Sequence, residues 1–421
     1  MFSGLPALSD FSFEKSSLIK RMGCILATCL LMCTTVQADW AWNTQPPIPD
    51  NDARWNQFKT MWTCHWDGEN LDDMIGLAQS LETDYPNAIE PKLWLGKLHV
   101  LKGKYLKSKG LSDLKKAEAY AVSAHKLDRD NIIAFKILID ALPFIGDIDY
   151  AMANHGEWIK KEAPLKTDYV IPPMTGDALW EEAIALWKQR AGDHFDEITP
   201  QGLESIKKFN ALAEANPKSV TANSWACRVN YDIGQYYSSI DEHESKGFPY
   251  YNNSIKYGKR ALALDPHYLP AGYWSTLSQA RLIQKKSILT KAKYVNFMIT
   301  NGLLGLREDS LYSSYGHTLA LAITITNGGW AAQKGINMAG ITLEMLINQL
   351  ALASVVYPTK LYALYGLADI YHYSDEDEKA QEILDRIFSM DPDMDPFITL
   401  ENRGVVRFAR KIQEDIDSKR K

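Results

Sequence analysis

The chain is poor in the features that mark chemistry. Five cysteines occur in 421 residues, and Cys24, Cys29 and Cys33 sit close to the N-terminus. No Cys-x-x-Cys pair and no His-Glu-x-x-His occurs, which removes the common signatures of zinc and thiol-redox sites. The nine histidines are scattered. Cys64 and His65 are adjacent, but neighbours on a helix point about 100° apart, so adjacency makes neither a dyad nor a metal site. His243, in Asp241-Glu-His-Glu244, reads as part of a solvated loop. Gly328-Gly329 lacks the lysine and the spacing of a phosphate cradle. Glu181, Glu182 and Asp193 are too loosely placed to form a catalytic carboxylate set. Neither enzymatic activity nor a cofactor nor a metal site is expected.

Charge of one sign is scarce as well. Lys and Arg number 46 against 52 Asp and Glu, a net charge of −6 with no basic stripe, which argues against nucleic acid as a partner. Apart from the N-terminal region no apolar run reaches ~18 residues, so no membrane-spanning helix is expected.

What the chain does have is a recurring stop-and-start signal. In Ile255 to Leu277, Ala261, Leu262 and Leu264 close an apolar helical face, and Asp265-Pro266 forces a turn. Ala271, Trp274 and Leu277 then resume helical spacing. Similar punctuation stands at Tyr85-Pro86-Asn87, Asp128-Arg129-Asp130-Asn131, Asn216-Pro217, Tyr357-Pro358 and Asp391-Pro392. The separations are uneven, so the repeat is degenerate and carries insertions. The pattern predicts an all-α, tetratricopeptide-like helix-turn-helix repeat array, an α–α superhelix built as one body.

Residues 1–38 read as a signal peptide. Lys15, Lys20 and Arg21 supply positive charge, Met22 to Cys33 is apolar but too short to span, and Val36-Gln37-Ala38 fits a cleavage site. Met1 and Met22 are both candidate starts. Export to the periplasm follows as the expectation. Met32 before Cys33 is large where a lipobox needs a small residue, so a lipid anchor is the minor alternative. In an oxidising compartment Cys64 and Cys227 become a candidate disulfide, the alternative being two buried free thiols.

Residues 39–51 form a proline-rich lead containing Trp40 and Trp42, and 52–421 the helical domain. Asp52 caps a first helix with Trp55, Phe58 and Trp62 on one face. Ser112-Asp113 opens a helix to Leu127 with Ala117, Ala121 and Ala124 as a small seam, and Ile132 to Leu142 is apolar on all sides. Tyr150 to Glu162 and the stretch after Asp177 follow, Thr199-Pro200 starts another helix, and Asp241 to Pro249 reads as a polar break. Thr324 to Ala331 places a Gly-Gly turn inside an apolar region.

Over 255–412 the order of parts resembles the T component associated with tripartite ATP-independent periplasmic transporters. The residues that carry the resemblance are Ala261-Leu-Ala-Leu-Asp-Pro-His-Tyr-Leu-Pro-Ala-Gly-Tyr-Trp274, Tyr315-Gly316, Gly328-Gly329, Tyr357-Pro358, Leu367-Ala368 and Pro396 to Asn402 with Ala409. It departs from the family in its weak lipobox and in Trp330, where Asp usually follows the Gly-Gly turn. The resemblance implies a non-enzymatic component that docks an extracytoplasmic solute-binding protein and holds a small apolar ligand between helices. Tyr273, Trp274, Tyr312, Tyr315 and Trp330 are the candidate ligand-groove residues, with ordinary core as the competing reading. A general periplasmic adaptor for proteins or peptides is the alternative function, and self-association stays open.

Overall fold

Every one of those breaks separates two helices in the computed structural model. The structure describes residues 45–420 apart from 66, 67, 69, 107, 108, 166–170, 193–196, 284–287, 314, 396 and 397; at 241, 288–295 and 331 the backbone alone is described. The segment 1–38, read as a signal peptide, lies outside the described residues, as do Trp40 and Trp42.

Helix starts follow local chemistry. The Asp52 carboxylate accepts from the Arg54 N–H at 2.8 Å and opens α1 (Ala53–Trp62). α2 (Leu71–Asp84) and α3 (Glu90–Leu106) flank Tyr85-Pro86-Asn87. α4 (Leu111–Leu127) buries the Ala117, Ala121 and Ala124 seam, and Asn131 caps α5 (Ile132–Ile145) through the amides of Ile133 and Ala134. Asp147 caps α6 (Ile148–Glu162), and Asp177 caps α7 (Ala178–Trp187). Pro200 takes the first position of α8 (Pro200–Ala215), and Ser219 caps α9 (Val220–Ser238).

α10 (Glu244–Leu264) stops at Asp265, and α11 (Leu269–Ile283) begins beyond the turn. α12 (Ile288–Glu308), α13 (Gly316–Met338), α14 (Leu343–Val356), α15 (Tyr362–Tyr373), α16 (Asp377–Ser389) and α17 (Thr399–Arg420) complete the order.

Two elements differ from expectation. The break expected over Asp241 to Pro249 shrinks to a 3-10 turn at Asp241–His243, and α10 runs through Pro249. Packing explains it: a Cβ on Gly247 would stand 2.5 Å from the Gly234 carbonyl. That backbone-to-backbone approach of α9 and α10 outweighs one lost helical hydrogen bond. The Gly-Gly turn is a kink inside α13, where Gly329 adopts φ 63°, ψ −154°, a conformation open to glycine.

Consecutive helices pack as hairpins from α2 through α5 and again from α7 through α17. Next-but-one neighbours also touch, α9 with α11, α11 with α13, α13 with α15, and α15 with α17. This two-layer stacking is that of tetratricopeptide-like repeats, and the chain is an all-α helical-repeat superhelix. Among the described residues the one β pairing is an isolated bridge between Ala191 and Ile198. The inner layer also closes, because α17 returns to pack on α9. Across the array, α14 packs on α5 and α6, and α12 packs on α3. Trp42–Lys421 forms one compact unit.

The proposed disulfide is absent: Cys64 and Cys227 are both free. Cys64 is exposed in the turn after α1, whereas Cys227 is buried in α9 with its sulfur 3.4 Å from the Ser254 hydroxyl of α10. Burial pushes the Cys227 thiol up to about 12. Alkylation of the native protein followed by peptide mapping is expected to label Cys64 and spare Cys227, which reacts only after unfolding. A Cys64–Cys227 linked peptide in the non-reduced digest would contradict this.

Candidate functional site: a closed ring with a polar interior

The ring of α9, α11, α13, α15 and α17 sets the site. Two of its helices, α9 and α11, are buried on nearly all sides, so the polar residues on them are carried into the interior. α9 carries Arg228, Asp232 and Gln235 at i, i+4 and i+7, a polar stripe on one face. All three are buried. The Arg228 guanidinium lies 4.6 Å from the Trp187 ring centre, 5.4 Å from Trp274 and 5.5 Å from Trp225, with the Asp232 carboxylate 3.7 Å away. Three aromatic faces thus share the cation with one acid.

Two longer links hold the ring shut. Arg190, after α7, donates to both carboxylate oxygens of Glu401 in α17 at 3.0 and 2.9 Å. Asn402 donates to the carbonyl of Thr359 at 2.9 Å and accepts from the Leu361 N–H, joining α17 to the start of α15. Lys360 is buried and donates to the Ser313 hydroxyl at 2.9 Å and to its carbonyl. Burial brings Lys360 down to about 7, against the pull of Glu401. Burial, helped by Glu401, lifts Asp232 to about 7, against Arg228, Arg190 and Lys360. The interior is therefore a place where charge is costly and finely balanced.

The aromatic candidates divide. Tyr273, Trp274 and Tyr312 come together, with ring centres 4.5 Å apart for Tyr273–Trp274 and 5.7 Å for Tyr273–Tyr312. All three are buried and pack as core beside the polar stripe. Tyr315 serves elsewhere: its hydroxyl donates to the Ile139 carbonyl at 2.7 Å, fastening the start of α13 to α5. Trp330 lies past the Gly329 kink and is 71% exposed, so it lines no interior groove. The small apolar ligand fits this interior poorly, because Gln235, Gln279, His317 and Asp232 all leave buried polar atoms without hydrogen-bond partners.

Sequence reasoning missed Arg228, Asp232, Gln235, Gln279, Arg281, His317 and Lys360. The i, i+4, i+7 stripe in α9 was the available signal. Cys64 and His65 part company as expected. His65 is buried with Nε2 2.7 Å from Glu308 Oε2 and its ring stacked on Trp62, an ion-pairing position that ties the start of the array to α12. Among the described residues no cluster of His, Cys, Asp and Glu could hold a metal ion.

No family model and no curated protein matches this chain. The crystal structure of yeast Tom70 aligns over 85% of this chain and 88% of that one, at 13% sequence identity and a TM-score of 0.18. At that score the likeness adds no weight, and the tetratricopeptide-like fold rests on the helix pairing itself. No single described helix is long and apolar enough to cross a membrane; the bent pair Ala332–Met338 and Leu343–Val356 reaches the threshold by length and composition together.

Proposed function

We propose that the protein is a non-enzymatic, exported scaffold that docks a protein partner through a stripe on the second half of α13. The observation that carries this reading is Trp330, Lys334 and Met338 at i, i+4 and i+8. Trp330 is 71% and Met338 69% exposed, and the Lys334 ammonium sits 4.9 Å from the Trp330 ring centre. Most other large apolar side chains of the fold are buried, so two such residues presented on one helical face mark a contact surface. Tryptophan is among the residue types most enriched at interface hot spots. The Gly329 kink aims this half-helix independently of the buried half of α13.

The resemblance to transporter T components suggests an extracytoplasmic solute-binding protein as the partner, and the signal-like N-terminus is the ground for seeking the encounter in the periplasm. The general adaptor remains the second reading, favoured by the helical-repeat scaffold alone. A photoreactive residue at Trp330 in the native envelope tests both. A cross-link to a solute-binding protein, lost in W330E, supports the transporter reading. A cross-link to another envelope protein, lost in the same way, supports the adaptor. Recovery unchanged by W330E, or no cross-link at all, rejects the stripe as a docking surface.

A further inference from the structure

Arg281, near the C-terminal end of α11, is a buried cation with no carboxylate in direct contact, Asp369 acting on it only from a distance. It is 6% exposed. Every described carboxylate lies outside ion-pair distance of it, and its Nη2 has no hydrogen-bond partner. The groups that face it are the hydroxyls of Tyr231, Tyr251, Tyr362 and Tyr365, and the Phe408 ring whose centre is 4.0 Å from the guanidinium carbon. A buried charge left in this state costs stability unless a ligand answers it.

The guanidinium also lines a cavity. This pocket, about 300 Å³, opens between α9, α10, α15 and α17. Phe248, Phe408 and Tyr365 form its apolar walls, and Asp369, Glu244 and Asp415 lie around it. Asp369 is engaged by Thr326, whose hydroxyl donates to it at 2.7 Å. His372, also lining the cavity, is 2.7 Å from Asp377, so its ring is already paired. Arg281 is the buried cation of the lining and Lys411 a second, half-buried one; Asp369, Glu244 and Asp415 outnumber them and disfavour a second negative charge on any occupant.

We propose that this cavity binds a small organic monocarboxylate of amino-acid size, its carboxylate held by Arg281 and its carbon skeleton against Phe248 and Phe408. The planar fork of a guanidinium matches a carboxylate with two parallel hydrogen bonds. A volume near 300 Å³ is at the small end of ligand sites. The wall carboxylates favour an α-amino acid, whose ammonium they can receive, over a dicarboxylate. The site is separate from the α13 stripe and stands whether or not that stripe docks a partner.

Ligand-observed NMR and calorimetry on the purified protein test it, with leucine, phenylalanine and butyrate as probes. Leucinamide, succinate and inorganic phosphate are the controls. The expected result is saturable binding of at least one monocarboxylate, at least tenfold weaker binding of leucinamide and succinate, and a tenfold or greater loss in R281Q with partial retention in R281K. The comparison of acid with amide is made on the wild-type protein, so it stands even if R281Q folds poorly. Absence of binding by all three monocarboxylates overturns the proposal. So does equal binding of acid and amide, binding of phosphate alone, or affinity unchanged in a folded R281Q.

Discussion

Replacing Glu401 by glutamine is expected to cost about 3–5 kcal/mol of unfolding free energy. The Arg190–Glu401 pair is buried at both ends, 3% and 5% exposed, and the Arg190 Nη2 reaches both carboxylate oxygens at 2.9 and 3.0 Å. Arg190 is stacked on the Trp187 ring with 3.6 Å from guanidinium carbon to ring centre. It is held there by packing and cannot swing out to water. Glutamine keeps the shape and removes the charge, so the guanidinium is left buried against a neutral amide. The cost is then the desolvation of an uncompensated cation, not the modest worth of a surface ion pair. Urea unfolding followed by tryptophan fluorescence reads the effect directly. The double variant R190M/E401L removes both charges and is expected to recover most of the loss. A change below about 1 kcal/mol in E401Q would show that the pair does not hold α17 to the rest of the ring.

Stability is also expected to fall as the solution is acidified below the ordinary histidine range, through His317. Its ring is 1% exposed, lies 5.3 and 5.6 Å from the ring centres of Tyr273 and Tyr312, and has no hydrogen-bond partner on either nitrogen. A Cβ on Gly305 of α12 would overlap it, so α12 closes over the imidazole at backbone distance. Burial, with no acid to help, pushes His317 down to about 3. The unfolded chain takes up this proton near pH 6.5 and the folded chain does not. The contribution is therefore fully present above pH 6.5 and is lost progressively as pH falls toward 3. At about 1.4 kcal/mol per unit, this one ring accounts for roughly 4 kcal/mol by the acid end. Other groups titrate there too, so the useful quantity is the difference between wild type and H317L, whose side chain suits the aromatic surroundings. That difference is expected to grow in favour of H317L below pH 6. Parallel profiles for the two proteins would place His317 in contact with water or an acid.

The helices were legible because their punctuation is local. Proline after an amphipathic run and a capping Asp, Asn, Ser or Thr act within a few residues, and Asn131, Asp147, Asp177 and Ser219 each cap the helix that follows. Pro249 misled because the Gly234–Gly247 approach that overrides it is tertiary. The site was mostly illegible for the same reason. Tyr273 and Trp274 are neighbours in sequence, but Arg281 meets Phe408, and Lys360 meets Ser313, through ring closure. Trp330 was picked out as an aromatic and misplaced, because no periodicity tells whether a ring past a glycine kink faces in or out. The paired cysteines failed because one is exposed after α1 and the other buried in α9, a tertiary placement that sequence does not encode.

Ring closure also sets when the fold can become complete. An open repeat array grows by nearest-neighbour steps and can gain order as each unit leaves the ribosome. Here the final helix seals the interior, through a pair separated by 211 residues. Until α17 is made, the costly charges on α9 and after α7 have no lid, and the loop that must close is long. α2 to α5 can assemble early as a local stack. The segment from α7 onward must wait, so a chain halted before Thr399 is expected to be a chaperone client rather than a shorter version of the protein.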